Sequence, residues 1–232
     1  MLTGVTGIAG FAGSLRNPPT IVDRTTSFNN TAGNTRNVTL PGSLVSGDLL
    51  VMCIASHRAD TAFTAPSGWT QLFNQLVGSV GNGITLACFH KVSNGAEGAS
   101  VAVPSTGVGR AAAIVYRFWD YSGTPEASTP ATGTASMPNS PSLSPTWESD
   151  GAMFLSAAAT SAPRTVNAYP ASYSNGTTAV TTNSGPTSLT DIRCSGAEAA
   201  LNAATEDPGA YTLDANAEYW VAATIAVLGK DA

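Results

Sequence analysis

Residues 47–118 read GDLLVMCIAS, APSGWTQLFNQ, GITLACFHKV, ASVAVPS and GRAAAIVYRF in succession. These are five short segments, most of them rich in β-branched and aromatic residues and separated by Gly, Pro, Asn and Ser. That is the pattern of consecutive antiparallel strands rather than of helices. Within residues 48–56 both alternating sets are apolar: Leu49, Val51, Cys53 and Ala55 on one face, Leu50, Met52 and Ile54 on the other. A strand of an ordinary sandwich keeps only one apolar set, because its other face meets water. The doubling recurs in residues 153–159 and 219–228 and partly in 111–118. It predicts a further layer made of long loops, the N-terminal arm or another subunit, and it is the strongest physical pointer to life in an assembly.

Working outward, the second half echoes the first. DGAMFLSAAAT (150–160) has the character of GDLLVMCIASH (47–57), and NAYPASYSNGTTAV then stands for FTAPSGWTQLF. GAEAALNAAT follows as GITLACFHKV does, GAYTLDA as ASVAVPS, and EYWVAATIAVL as GRAAAIVYRF. Each half therefore supplies about five strands, and the two apolar faces close on one another. The expected fold is all-β: a jelly-roll-like antiparallel β-sandwich of about ten strands from two pseudo-repeated halves. Residues 20–232 form one domain in this reading. The Pro/Ser/Thr-rich residues 124–146 connect its halves as a loop or a partly extended strand.

Residues 1–19 form a separate arm ending at Pro18 and Pro19. Its glycines, Gly4, Gly7, Gly10 and Gly13, recur every three residues. Four such repeats without proline are too few for a collagen-like triple helix. An extended arm ordered by a partner is expected instead. The apolar start lacks a basic leader, so no signal peptide is expected, and no 18-residue apolar run suggests a membrane span.

Composition narrows the function classes. The chain has 232 residues, enough to bury about 70% of the surface its unfolded form exposes. Only 11% of residues are charged, the net charge is −5, and the lysines are Lys91 and Lys230. Phosphate neutralisation needs clustered cations, so no nucleic-acid partner is expected. Cys53, Cys88 and Cys194 are widely spaced, and the first two sit in apolar runs as buried thiols do.

Candidate chemistry is thin. Cys53, His57 and Asp60 are the residue types of a hydrolase nucleophile set, but all three fall on one strand and its exit. Cys88 and His90 share a strand face, yet two further zinc ligands are missing. The carboxylates are scattered, with no pair facing across a cleft. Trp69, in PSGWT, is expected as a plug between the sheets. Phe118-Trp119-Asp120-Tyr121 at a strand end is the best exposed candidate, since Trp119 and Tyr121 beside a carboxylate suit stacking on a sugar. No enzyme activity, cofactor or metal is expected.

The succession GDLL, PSGWT, a strand ending in Lys91 and a strand ending in Tyr116-Arg117 resembles a β-sandwich module of tailed-bacteriophage structural proteins. The likeness covers residues 47–121, and Phe118 stands where that form has glycine. The resemblance implies a non-enzymatic virion component: a capsid decoration (cement) protein on the outer capsid surface. Its partners would be the major capsid protein and its own copies, as a homotrimer, with no nucleic acid and no membrane. A tail- or fibre-associated module binding host glycans is the alternative.

Overall fold

The computed structural model describes residues 16–57, 62–79, 81–147, 150–181 and 191–231, and every regular element among them is a strand. The first half makes one sheet from β1 (Thr20–Thr39), β2 (Ser46–His57), β3 (Thr70–Val77), β4 (Ile84–Asn94) and β5 (Ser100–Trp119). Its order is β1-β5-β2-β4-β3, antiparallel throughout. The second half contributes β6 (Tyr121–Ala127), β7 (Ala131–Ser136), β8 (Asn139–Ser140), β9 (Gly151–Ser161) and β10 (Val166–Ala168). It continues with β11 (Ser174–Val180), β12 (Ile192–Asn202), β13 (Gly209–Ala210), β14 (Thr212–Leu213) and β15 (Ala217–Gly229). Its main sheet runs β11-β12-β9-β15-β6, with β7 also on β15, while β8 pairs with β13 and β10 with β14.

The two orders are one winding used twice. β6 and β7 together stand for β1, β9 for β2, β11 for β3, β12 for β4 and β15 for β5. Register agrees: Leu49 lies between Phe118 and Val92 as Met153 lies between Val227 and Ala200. Across the sandwich β1 approaches β11, β5 approaches β12, β4 approaches β15 and β3 approaches β6, an approximate twofold relation between the halves. The all-β antiparallel sandwich of two similar halves is as expected. Each main sheet is drawn from one half of the chain, without the strand exchange of a full jelly roll.

Between the sheets Leu49, Val51, Cys53, Ile114, Tyr116 and Phe118 meet Leu155, Ala157, Val221, Ala223, Ile225 and Val227. The opposite set of the first sheet, with Leu50, Met52, Ile54, Phe89 and Val115, points outward yet is equally buried. The cover is the chain itself. β1 and β5 are each 20 residues long, and their pairing jumps register between Asn29 and Thr35. Beyond the jump the ribbon returns over its own sheet. Thr25 Oγ1 donates to the Thr39 carbonyl at 3.0 Å, and Thr39 N–H donates to Ser27 Oγ at 3.3 Å. Val38, Leu40 and Val103 of the returning part join Phe63 and Trp69 over the outward set. Burying a side chain of this size contributes about 1.5–3 kcal/mol, ample reason for the ribbon to fold back.

Of the covers expected for the doubly apolar strands (long loops, the N-terminal arm or another subunit), the chain's own ribbon and connections supply the layer, so apolarity on both faces no longer points to an assembly. In the second half Tyr211, Leu213, Met137 and Val166 cover Ala158, Ala222 and Trp220, and Leu143, Trp147 and Tyr173 cover Ala152, Phe154 and Ala226. Trp69 is a plug, as expected, but in the outer layer rather than between the sheets. Other differences lie in how the strands are divided. ASVAVPS and GRAAAIVYRF merge into the single β5, while the short strands β7, β8, β10, β13 and β14 bring the total among the described residues to fifteen where about ten were expected.

The root of the arm is held at the end of the second sheet. Arg16 Nε lies 2.6 Å from Asp231 Oδ1 and 3.7 Å from Asp150 Oδ2. The carbonyls of Arg16 and Asn17 press on Gly151 and Gly229, where a Cβ would come within 2.1 and 1.6 Å, so both positions require glycine. Gly4, Gly7, Gly10 and Gly13 lie outside the described residues.

Candidate functional site

At the end of the sandwich nearest Leu49 and Phe118, the outward alternation of β5 brings Arg117 and Trp119 beside Asp48 of β2. The Asp48 carboxylate accepts from Arg117 Nε at 2.8 Å, from Val45 N–H at 2.8 Å and from Trp119 Nε1 at 2.7 Å. Arg117 Nη1 donates to the Gly42 carbonyl at 2.9 Å, and its Cζ stands 5.3 Å from the indole centroid. Both charges are buried, and their hydrogen bonds satisfy them, which is the condition for a buried ion pair to be tolerated. Trp119 remains 47% exposed. Its N–H is committed to Asp48 and its ring is held by the guanidinium, so it presents a fixed apolar plate.

Beside this cluster an open depression of about 440 Å³ is lined by Thr39–Leu44 and Glu97–Ala99. Burial pushes the Glu97 carboxyl up, but the Ser93 hydroxyl, the Asn94 N–H and the Lys91 ammonium outweigh it and hold it at about 2. The Glu97 carboxylate beside the depression is therefore ionised at neutral pH.

Tyr121 is placed differently. Asp120 takes a φ of 55°, and the chain crosses there from the first sheet to the second, with Lys230 N–H donating to the Asp120 carbonyl at 2.8 Å. Tyr121 is half-buried against the inter-sheet core, and burial raises its phenol pKa. Trp119 and Tyr121 consequently serve two faces and do not make one stacking platform. The departure at Phe118 is explained by the same geometry. Phe118 is fully buried between the sheets, so β5 runs on to Trp119 and the turn comes at Asp120.

The other candidates resolve into structure. Cys53 Sγ lies 3.8 Å from Cys88 Sγ, and Cys194 Sγ lies 3.8 Å from the Cys53 carbonyl, so all three cysteines gather in the inter-sheet core as thiols. Burial raises the pKa of Cys88 and Cys194, which disfavours the thiolate. His57, four residues along β2 from Cys53 and so about 13 Å away, bonds the Gly81 carbonyl through Nε2 at 3.0 Å. Asp60 lies outside the described residues. Cys88 and His90 do share the inward face, but no group of three His, Cys, Asp or Glu side chains among the described residues is placed to hold a metal ion. The buried carboxylates are engaged by cations: Asp191 by Arg110 at 2.8 Å, and Glu198 by Arg24.

Sequence reasoning passed over Asp48 and Arg117 as site residues. The signal was present, because they are the charged members of the GDLL and Tyr-Arg segments, which β2–β5 pairing sets side by side so that this ion pair forms. The chain matches no family model, no curated protein and no solved structure.

Proposed function

We propose that this chain is a non-enzymatic structural protein, a capsid decoration protein bound to the outer shell of a tailed bacteriophage. The observation that carries this reading is the arm root. Residues 16–19 are clamped on the end of the sandwich, so the apolar, glycine-rich residues before them issue from a fixed point suited to reaching a neighbouring subunit. The four ion pairs Arg24–Glu198, Lys91–Glu97, Arg110–Asp191 and Arg117–Asp48 also support it. They take up eight of the 25 charged residues, among them four of the ten cations, which leaves an exterior poor in positive charge, suited to packing on a shell and unsuited to nucleic acid. Stabilisation would come through mass action, because a partner that binds only the assembled lattice stabilises only the lattice.

The test is to strip the protein from particles and add it back. Restored heat resistance at a fixed ratio to the major capsid protein is expected, with loss of binding when residues 1–15 are deleted. Particles equally stable without the protein would remove the reading. The alternative, a tail- or fibre-associated module binding host glycans, is favoured by one feature, the exposed and immobilised Trp119 plate. Binding on a glycan array that disappears in Trp119→Ala would establish it.

A further inference from the structure

β2 and β4 are neighbours in the first sheet, and their register sets Cys53 directly opposite Cys88. Both side chains point between the sheets, and their sulfurs lie 3.8 Å apart. Directly opposed residues of antiparallel strands have Cα atoms about 4.5–5.5 Å apart, inside the range of about 4.4–6.8 Å that a disulfide spans. Bond formation needs the sulfurs to close to about 2 Å, which rotation of the two side chains supplies without a change of register. Cys194 is kept out of such a bond by its position. It lies on β12 of the facing sheet, and stacked sheets stand about 10 Å apart, beyond the disulfide range. Access comes from the sheet margin. Cys88 is flanked on its other side by Phe73 of β3, and β3 pairs only with β4 among the described residues. Such a strand opens locally more readily than the whole fold, and lifting Phe73 uncovers Cys88.

We propose that Cys53 and Cys88 are a latent redox pair, which a hydroperoxide converts into a cross-strand disulfide stapling β2 to β4. The Cys88 sulfur, as its thiolate, attacks one peroxide oxygen. An S–O bond forms, the O–O bond breaks, and the departing hydroxide takes the proton that the thiol gave up and leaves as water. Cys53 Sγ then attacks the sulfenic sulfur of Cys88. The S–S bond forms, the S–O bond breaks, and the hydroxyl leaves as water with the Cys53 thiol proton. Two thiols are oxidised, one peroxide is reduced to two waters, and Cys194 stays a thiol. This inference does not rest on the virion reading, because both cysteines and their register belong to the single chain.

The test treats the full chain with hydrogen peroxide, alkylates it with iodoacetamide in denaturant and maps the peptides by mass spectrometry. The expected product is an intramolecular Cys53–Cys88 link, lighter than the reduced pair by two hydrogens, with Cys194 alkylated. The bond closes a loop between residues 35 apart in sequence and so constrains the unfolded chain. The linked protein should therefore unfold at a higher urea concentration, and dithiothreitol should restore the original midpoint. Cys194→Ser should keep the link and Cys88→Ser should abolish it. The map of the unmodified chain decides the matter even if Cys88→Ser misfolds. Three free thiols after peroxide, sulfinic or sulfonic acid at Cys53 or Cys88 without a link, a bond to Cys194, a bond between chains, or a linked protein no more resistant to urea would each overturn the proposal.

Discussion

Where β2 sets Met52 opposite Phe89, the second half sets Ser156 of β9 opposite Ala197 of β12. All four side chains point outward from their sheets, and all are buried. In the first half the volume comes from the sheet, and the returning ribbon answers with Val38 and Val103. In the second half the sheet is small and the cover is large: Tyr211 Oη donates to the Ser156 carbonyl at 2.7 Å, and Ser156 Oγ lies 2.8 Å from Ser140 Oγ. The ends differ too. Arg117, opposite Leu50, corresponds to Ala226, opposite Phe154, so the ion pair of the first half has no counterpart and the second half is closed by the Arg16 clamp. The difference teaches that strand order belongs to the pairing and the inner face. The outer layer needs only to be filled and have its polar groups satisfied.

That contrast is open to attack by substitution. Phe89→Ala should cost about 3–5 kcal/mol in urea unfolding, because a fully buried ring leaves a cavity under a ribbon that cannot collapse into it. A much smaller loss would mean that the first half is not held by apolar filling. Asp48→Ala strands the buried Arg117 guanidinium and should cost about 3 kcal/mol. Near-ultraviolet dichroism should report the release of Trp119 in the same variant. Tyr211→Phe keeps the volume and removes the hydroxyl, so a loss of about 1–2 kcal/mol is expected from the orphaned Ser156 groups. A neutral result would erase the distinction between a greasy and a hydrogen-bonded cover.

The smallest effect is in pH. Glu97 is held at about 2, below its ordinary value of 4.5. Its contribution is therefore complete above 4.5 and is lost as pH falls toward 2. Glu206, in the corresponding loop of the second half, is raised by burial. Its effect has the opposite sign: stability is fully present below the ordinary carboxyl value and is lost as pH rises through the raised one. Melting temperatures against pH should show Glu97→Gln flattening the acid limb and Glu206→Gln removing a loss at higher pH. Parallel curves for the two variants would contradict the assignment.

Much of the fold was legible because its signals are local. Alternation along 48–56, the turn residues between segments and the echo at 150–160 all act within a few residues, and they identified β2, β4, β9, β12 and β15. The thiols of Cys53 and Cys88 were readable as core for the same reason. The site was only half legible. Trp119 stood out as an aromatic at a strand end, whereas Tyr121, two residues on, was grouped with it although a left-handed Asp120 sends it to the other sheet. Asp48 and Arg117 are 69 residues apart, and neither looks special until the strands lie side by side.

The sequence by itself determined that this protein is built of strands, that it is built twice over, and that its central strands are covered on both faces. Periodicity and turn chemistry are properties of short segments, so they survive without a structure. Only the tertiary structure decided what supplies the second cover. A register jump belongs to two paired strands rather than to either one. The jump between β1 and β5 folds the ribbon onto its own sheet and hides the apolar surface that, read along a single strand, pointed to another molecule.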